Sequence, residues 1–399
     1  KFIHKFIVTI YKFFLKNILM KKKLYTAIGL MSGTSMDGVD LSIISSDGYD
    51  EFFNIFDEYY EYSKELNDQL ITLRNSIYTK EDLSKISKNL IELERNLTLF
   101  HADIINQTLN NYKDQVDLIG FHGQTIFHNP KNKITKQLGD GELLSQLIKK
   151  KVVYDFRQAD IQNNGQGAPL TPIFHYILSK KIHQKYNISF PIGFLNIGGI
   201  ANITKIFDIS DQVQENLSAY DIGPGNCLID EWIRNNSNKK IDKNGDIAKS
   251  GNIDQLILNQ AIDNFEIKTF SQSLDIKDFD ISFAKGLSLE DGSATITNFT
   301  AYLIAQGLEY NVKKEGIKFL ICGGGRKNNY LIDCINRYLT NKNKIILDAI
   351  DNYNLNGDYI ESQAFGYLAI RSLLNLPISF KTTTGADIPI VGGKLSKNF

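Results

Sequence analysis

The sequence is short of cysteine, proline, tryptophan and net charge, and each shortage closes off a class of protein. Its three cysteines, Cys227, Cys322 and Cys334, are far apart and have no metal-ligand spacing. That excludes a disulfide scaffold and suits free thiols in a reduced, cytoplasmic protein. Lysine plus arginine and aspartate plus glutamate both total 45, so no overall charge draws the chain to nucleic acid or an anionic membrane. There is no low-complexity tract, and no Gly-Lys-Ser/Thr follows a glycine at Walker A spacing. In the leader, Lys1 to Leu19, Lys5, Lys12 and Lys16 break any run long enough to span a bilayer. No small-residue cleavage site follows it. We expect residues 1–19 to be an extension outside the fold, with the domain starting near Met20; a basic amphipathic helix on a membrane surface is the alternative.

What remains is globular: 42% hydrophobic and 23% charged over 399 residues, a length that suits two domains. The stretch Ile28 to Asp40 has apolar residues leading in and out of a short run of Ser, Gly, Thr and Asp. It predicts two strands joined by a tight polar turn. Gly33 and Gly38 allow amides to crowd around an anion, Ser32, Thr34 and Ser35 add donors, and Asp37 and Asp40 would hold a cation beside it. Taken alone, the stretch reads equally as a glycine-rich hairpin with a polar tip.

Further along, Phe52 to Tyr62 predicts a third strand, and Lys80 to Asn111 a helix with leucines at three- and four-residue spacing after a Thr79 cap. Asp117 to Phe121 predicts a buried strand running into His122-Gly123-Gln124-Thr125, placed where open α/β sheets bind ligands. The run from Asp155 through Arg157 and Asp160 to Gln166 and Pro172 predicts a polar loop, either functional or a solvated connector. Phe194 to Ile206 repeats the strand, glycine turn, strand pattern, with Gly198 and Gly199 at the turn. Two related halves with a cleft between them follow from that repeat. A strand ends at Asp221, before Gly-Pro-Gly-Asn and a helix from Cys227 to Arg234. Asp221 either caps that helix or serves as a general base near its positive end. Asn298 to Lys314 predicts a helix, and Gly323, Gly324 and Gly325 follow a strand, where a backbone can lie flat on a ligand. The tail Thr382 to Ala386 is expected to be ordered against the body.

Together these motifs resemble the anhydro-N-acetylmuramic acid kinase family: Gly29 to Asp40, His122 to Thr125, Asp155 to Arg157, Gly165 to Leu170, Asn196 to Asn202, Asp221 to Asn226 and Cys322 to Gly325, in family order. The resemblance implies the α/β architecture of the actin, Hsp70 and hexokinase superfamily, with two ribonuclease-H-like domains flanking a central cleft. We place the domains at 20–185, joined by the last helix at about 360–375, and at 186–399. It implies a kinase that uses ATP and Mg²⁺ to open the 1,6-anhydro ring of anhydro-N-acetylmuramic acid and phosphorylate O6, in cell-wall recycling. Carried over, Gly33, Thr34, Ser35, Met36, Asp37, Gly38, Val39 and Asp40, with Gly198, Gly199 and Gly323 to Gly325, bind ATP. Asp221 is the general base. His122, Gln124, Arg157, Asp160 and Gln166 contact the sugar, and Mg²⁺ is held mainly through ATP. A homodimer is expected, with no nucleic acid or membrane partner.

The chain departs from the family pattern at Gln158 and Ala159, where arginines are usual, at Ile222, and at Ser271-Gln272-Ser273 in place of Pro-Lys-Ser. The lost charges bear on substrate affinity. They leave two alternatives: a kinase of the same superfamily for another amino sugar or anhydrosugar, or a non-catalytic sugar or nucleotide sensor.

Overall fold

The computed structural model describes residues 23–85, 87–210, 212–265, 270, 272–312 and 315–399. The leader, the start at Met20 and Ser271 lie outside the described residues. Two sheets repeat one plan. In the first, β1 (Tyr25–Ser32), β2 (Gly38–Ser46) and β3 (Phe52–Glu61) form an antiparallel meander. Helices α1 (Lys64–Ser76) and α2 (Ser87–Asn111) lead to β4 (Leu118–Asn129), which lies parallel to β1. β5 (Ile134–Leu138) folds back on β4, and α3 (Gly141–Ile148) leads to β6 (Lys151–Tyr154), parallel to β4.

After α4 (Pro172–Tyr186), the second sheet repeats this order. β7 (Ile192–Ile197), β8 (Ile200–Ile206) and β9 (Leu217–Pro224) form the meander. Helices α5 (Cys227–Asn236) and α6 (Leu289–Glu309) lead to β10 (Ile317–Cys322), and α7 (Asn329–Tyr338) leads to β11 (Ile345–Ala349). The spatial orders are β12-β6-β4-β1-β2-β3 and β11-β10-β7-β8-β9, where β12 (Lys394–Ser396) adds antiparallel to β6. Apart from β12 and β5, the sheets share one topology: a meander whose first strand pairs with a parallel strand, which pairs with a second parallel strand in turn. This is the expected two-lobed α/β architecture.

The lobes exchange helices. α4 follows the first sheet but packs on the second, where His175 stacks on Phe194 at 4.4 Å and meets the Thr204 hydroxyl at 2.8 Å. α8 (Ile360–Leu373) follows the second sheet but packs on the first, with Ser362 against Ser42 at 2.7 Å. One apolar core therefore runs between the sheets, from Ala27, Ile44 and Leu118 through Phe174 and Phe365 to Phe194 and Leu320. Burial of that continuous apolar surface holds the cleft walls together at their base.

Several elements differ from expectation. α1 was unforeseen, although Ser63 caps it and Leu66, Leu70 and Leu73 recur at helical spacing on its buried face. α6 begins nine residues before Asn298, with a Ser288 cap and an acidic first turn (Glu290, Asp291) followed by buried, mostly small residues from Gly292 on. β4 does not stop at Phe121 but continues through His122 to Thr125, because β5 supplies a new partner from Gln124 onward. Thr79 precedes a short helix, Lys80–Lys85, but its hydroxyl does not accept from the first turn: its N–H (2.9 Å) and hydroxyl (3.0 Å) both donate to Asp82. Thr382 to Thr384 form a short helix, Lys381–Thr384, against the body. No helix among the described residues is long and apolar enough to cross a membrane.

Candidate active site

The two hairpin tips meet at the mouth of the cleft. In the β1–β2 turn, the Met36 N–H closes on the Gly33 carbonyl (3.2 Å) and Met36 takes a left-handed φ of 58°. That conformation is unfavourable for methionine, and two contacts hold it: the side chain is fully buried, and Asn67 of α1 donates to the Met36 carbonyl at 2.6 Å. Arg74, also on α1, donates to the Thr34 carbonyl at 2.9 Å, and Gln124 donates to that of Gly33 at 2.9 Å. Burial of Met36 and Val39 leaves only their backbone available to a ligand, while Thr34, Ser35 and Asp37 are exposed.

Thr34 reaches across to the β7–β8 turn, where a Cβ on Gly199 would lie 2.0 Å from its Oγ1. The Gly-Pro-Gly-Asn turn clasps the same place. Gly225 donates its N–H to the Gly199 carbonyl (2.9 Å) and Asn226 to that of Gly198 (2.7 Å). By contrast, Cβ atoms on Gly33, Gly198 and Gly324 would meet nothing closer than 3.6 Å. A side chain at these three would make only ordinary van der Waals contact, which leaves room for an anion beside the amides. Gly324 opens a tight turn, Gly324–Lys327, after β10. The cations that follow are neutralised: Arg326 binds Asp351 (2.7 Å) and Asp358 (2.6 Å), and Lys327 binds Asp358 (2.5 Å).

Asp221 lies inside β9, opposite Asn202, rather than at a strand end, and it does not cap α5. It is 7% exposed, and its Oδ2 accepts the Leu274 N–H at 2.8 Å. Burial pushes its carboxyl up to about 6, against the Leu274 hydrogen bond and the Arg157 charge, which favour the carboxylate. The helix amides expected to hold it ionised are therefore replaced by one loop amide and one guanidinium. Asp221 lines a cavity of about 370 Å³ together with Gln166, Gln272, Ser273, Tyr220 and Lys381, the size range of small-molecule sites.

Of the other expected sugar contacts, Gln166 alone lines that cavity. His122, Arg157 and Asp160 form the wall behind it. Arg157 donates Nε to His122 Nε2 (3.0 Å) and a terminal nitrogen to the Gly167 carbonyl (2.7 Å). Burial and the Arg157 charge keep His122 neutral, so its Nδ1–H donates to the Gly123 carbonyl at 2.8 Å. Asp160 is consumed by the fold, accepting from Gly167 N–H (2.7 Å), Ser379 (2.5 Å) and Thr384 (2.6 Å). It shapes the loop that presents Gln166. Gln158 and Ala159 lie away from the cavity, whereas Gln272 is on its wall.

A second acidic group faces the hairpins. Burial, then the charges of Glu361, Asp358, Asp37 and Asp57, push the Asp40 carboxyl up to about 8. Burial also raises Glu361, whose carboxylate accepts from Asn196 at 3.4 Å. Among the described residues no three such ligands come together to hold a metal by themselves. Two buried oxygens, Gln124 Oε1 of the side chain that holds Gly33 and Asn202 Oδ1 of the residue opposite Asp221, have no protein partner. Unpaired acceptors of this kind are costly unless a ligand or water meets them. Sequence reasoning missed Asn67, Arg74, Leu274 and Glu361. The first two stood on an unrecognised helix, Leu274 acts through its backbone, and Glu361 is brought in only by the crossing of α8.

The comparisons with known proteins agree with this architecture. Residues 25–397 match the family model described as anhydro-N-acetylmuramic acid kinase. An anhydro-N-acetylmuramic acid kinase of Pelagibacter ubique (strain HTCC1062) is 51% identical over 95% of this chain and 100% of its own. Namesakes from Zymomonas mobilis subsp. mobilis, at 37% identity over 92% of this chain and 99% of theirs, and Brucella suis, at 36% over 92% and 97%, are also similar. Clasped glycine turns, a buried carboxylate on the cleft wall and this match over nearly the whole chain lead to one conclusion: the chain belongs to the anhydro-N-acetylmuramic acid kinase family.

Proposed function

We propose that this chain opens the 1,6-anhydro ring of anhydro-N-acetylmuramic acid and phosphorylates O6, with Asp221 as the base, giving N-acetylmuramic acid 6-phosphate. The observation that carries the reading is the placement of Asp221: a buried carboxylate raised to about 6 that lines a cavity of small-molecule size and pairs in the sheet with Asn202, just after the β7–β8 glycine turn. When bound, ATP with Mg²⁺ supplies the phosphoryl group and the charge neutralisation it needs. Asp221 takes the proton from a water that adds to the anomeric carbon. The bond from that carbon to O6 breaks, and O6 gains the phosphoryl group. Base and phosphate cradle must lie on opposite faces of the sugar for one site to do both.

The backbone of Gly33, Gly198 and Gly324 suits phosphate binding, since no neighbouring atom lies closer than 3.6 Å to where a Cβ would stand. Asp40 and Glu361 would face the metal side. Burial raises both groups, and for Asp40 the neighbouring acids add to it, so a dication beside them would favour their ionised forms. Gln166 and Gln272 on the cavity wall would contact the sugar. The enzyme would work in the cytoplasm, as a homodimer, within peptidoglycan recycling. Because Gln272 replaces a family lysine at the cavity, a different amino sugar or anhydrosugar is the second reading. ADP release measured with a panel of sugars at equal ATP decides between them. Preference for anhydro-N-acetylmuramic acid supports the first, preference for another sugar the second, and no sugar-dependent ADP release removes both.

A further inference from the structure

One segment of the second lobe crosses the cleft and touches both halves of the site. Gln272 to Asp278 follows the residues after α5 and precedes α6, yet Ser273 and Lys277 bond to the first lobe. The Ser273 hydroxyl meets His128 Nε2 of β4 at 3.1 Å, and the Ser273 N–H points to Gln166 Oε1 at 3.4 Å. The next amide, Leu274 N–H, turns back to its own lobe and donates to Asp221 at 2.8 Å. A short helix, Ile276–Asp278, closes with a capping box between Asp275 and Asp278. It projects Lys277 onto the C-terminal end of α1. There the ammonium donates to the Arg74 carbonyl at 3.0 Å and to the Ile77 carbonyl, and it sits over the Tyr78 ring at 4.5 Å. A cation on the last carbonyls of a helix is favourably placed against the helix dipole.

α1 continues the chain of contacts. The residue whose carbonyl receives Lys277, Arg74, donates its guanidinium to the Thr34 carbonyl at the hairpin tip, and Asn67 holds Met36. Hydrogen bonds joined by the backbone from Leu274 to Lys277 and by Arg74 thus connect the carboxylate on one cleft wall to the glycine turn on the other. We propose that Gln272–Asp278 is a strap that positions Asp221, with Ser273 and Lys277 as its anchors on the first lobe and the Leu274 amide as its point of action. The strap arms the base only when the lobes are closed, since the partners of its anchors sit on the first lobe and Asp221 on the second. This rests on the reading of Asp221 as the base.

The charged groups that face Asp221 are Arg157 from the first lobe and Asp278 on the strap, with Lys205 and Lys381 on the walls of the same cavity. Losing the Leu274 hydrogen bond removes a donor to the ionised form, so the carboxyl titrates higher. The test is kcat/KM against pH for the full chain, Lys277→Met, Ser273→Ala, the double variant and Lys277→Arg. The double variant should lose roughly tenfold in kcat/KM at pH 7, and its acid limb should move upward by a visible fraction of a pH unit. Lys277→Arg, which keeps a donor to the same carbonyls, should restore both. A uniform loss with an unmoved acid limb, or no loss, overturns the strap. Asp221→Asn is the control: if it retains activity, the base assignment fails instead. Lys277 is exposed and Ser273 half-buried, so the variants should fold; thermal melting confirms it.

Discussion

At the residue scale the site is governed by carboxyl groups held above their ordinary range. Asp221, at about 6, is mostly ionised at neutral pH and gains protons as the pH falls through that value. The acid limb of kcat/KM should therefore rise with pH through about 6, and a limb near 4 would show that Asp221 is not the group observed. Asp40 has the larger displacement, from 3.8 to about 8. The folded chain then holds a proton that the unfolded chain releases, so this group's contribution is fully present below 3.8 and is lost as pH rises through about 8. Asp40→Asn should raise the melting temperature of the ligand-free protein at pH 8 and change it little at pH 4. The same variant should gain less than the parent from Mg²⁺ with ATP. Equal gains would remove Asp40 from the metal side.

At the element scale, the repeated hairpin was legible because its pattern is local: apolar run, glycine turn, apolar run. Both glycine turns and the strand before Asp221 could be found that way. The helix α1 was missed although its signal was present, a Ser63 cap followed by leucines at 66, 70 and 73. Its absence from the sequence reading hid Asn67 and Arg74, which hold the first hairpin. The helix crossing that brings Glu361 to Asp40 is a long-range fact, invisible to periodicity. It depends on close backbone contact: a Cβ on Gly29 of β1 would lie 1.9 Å from the Ser362 carbonyl and 2.4 Å from the Gly366 nitrogen of α8. Backbone cannot give way as a side chain tip does. Gly29→Ala should cost on the order of 3 kcal/mol, read from the midpoint of urea unfolding. A loss below about 0.5 kcal/mol would show that α8 can shift without penalty.

At the scale of the whole molecule, two lobes share one core at the base of the cleft and touch again at its mouth, through Thr34 and Gly199 and through the strap. The architecture was legible from the paired hairpins and the ordered motifs. The detailed roles were not, because burial decides them: Asp160, a promising polar loop residue, is spent on Ser379, Thr384 and Gly167, while an ordinary Leu274 supplies the amide that meets Asp221. A hinge at the shared core would let ligands close the lobes. Small-angle scattering should then show a smaller radius of gyration with nucleotide and sugar together than without them.

The central claim is that Asp221 is the base of a sugar kinase, and it is tested most directly by ADP release from ATP in the presence of anhydro-N-acetylmuramic acid, with the parent chain beside Asp221→Asn. The account predicts sugar-dependent release by the parent and a loss of at least roughly 100-fold in kcat for the variant, with an unchanged fold by circular dichroism. Full activity of Asp221→Asn would contradict it.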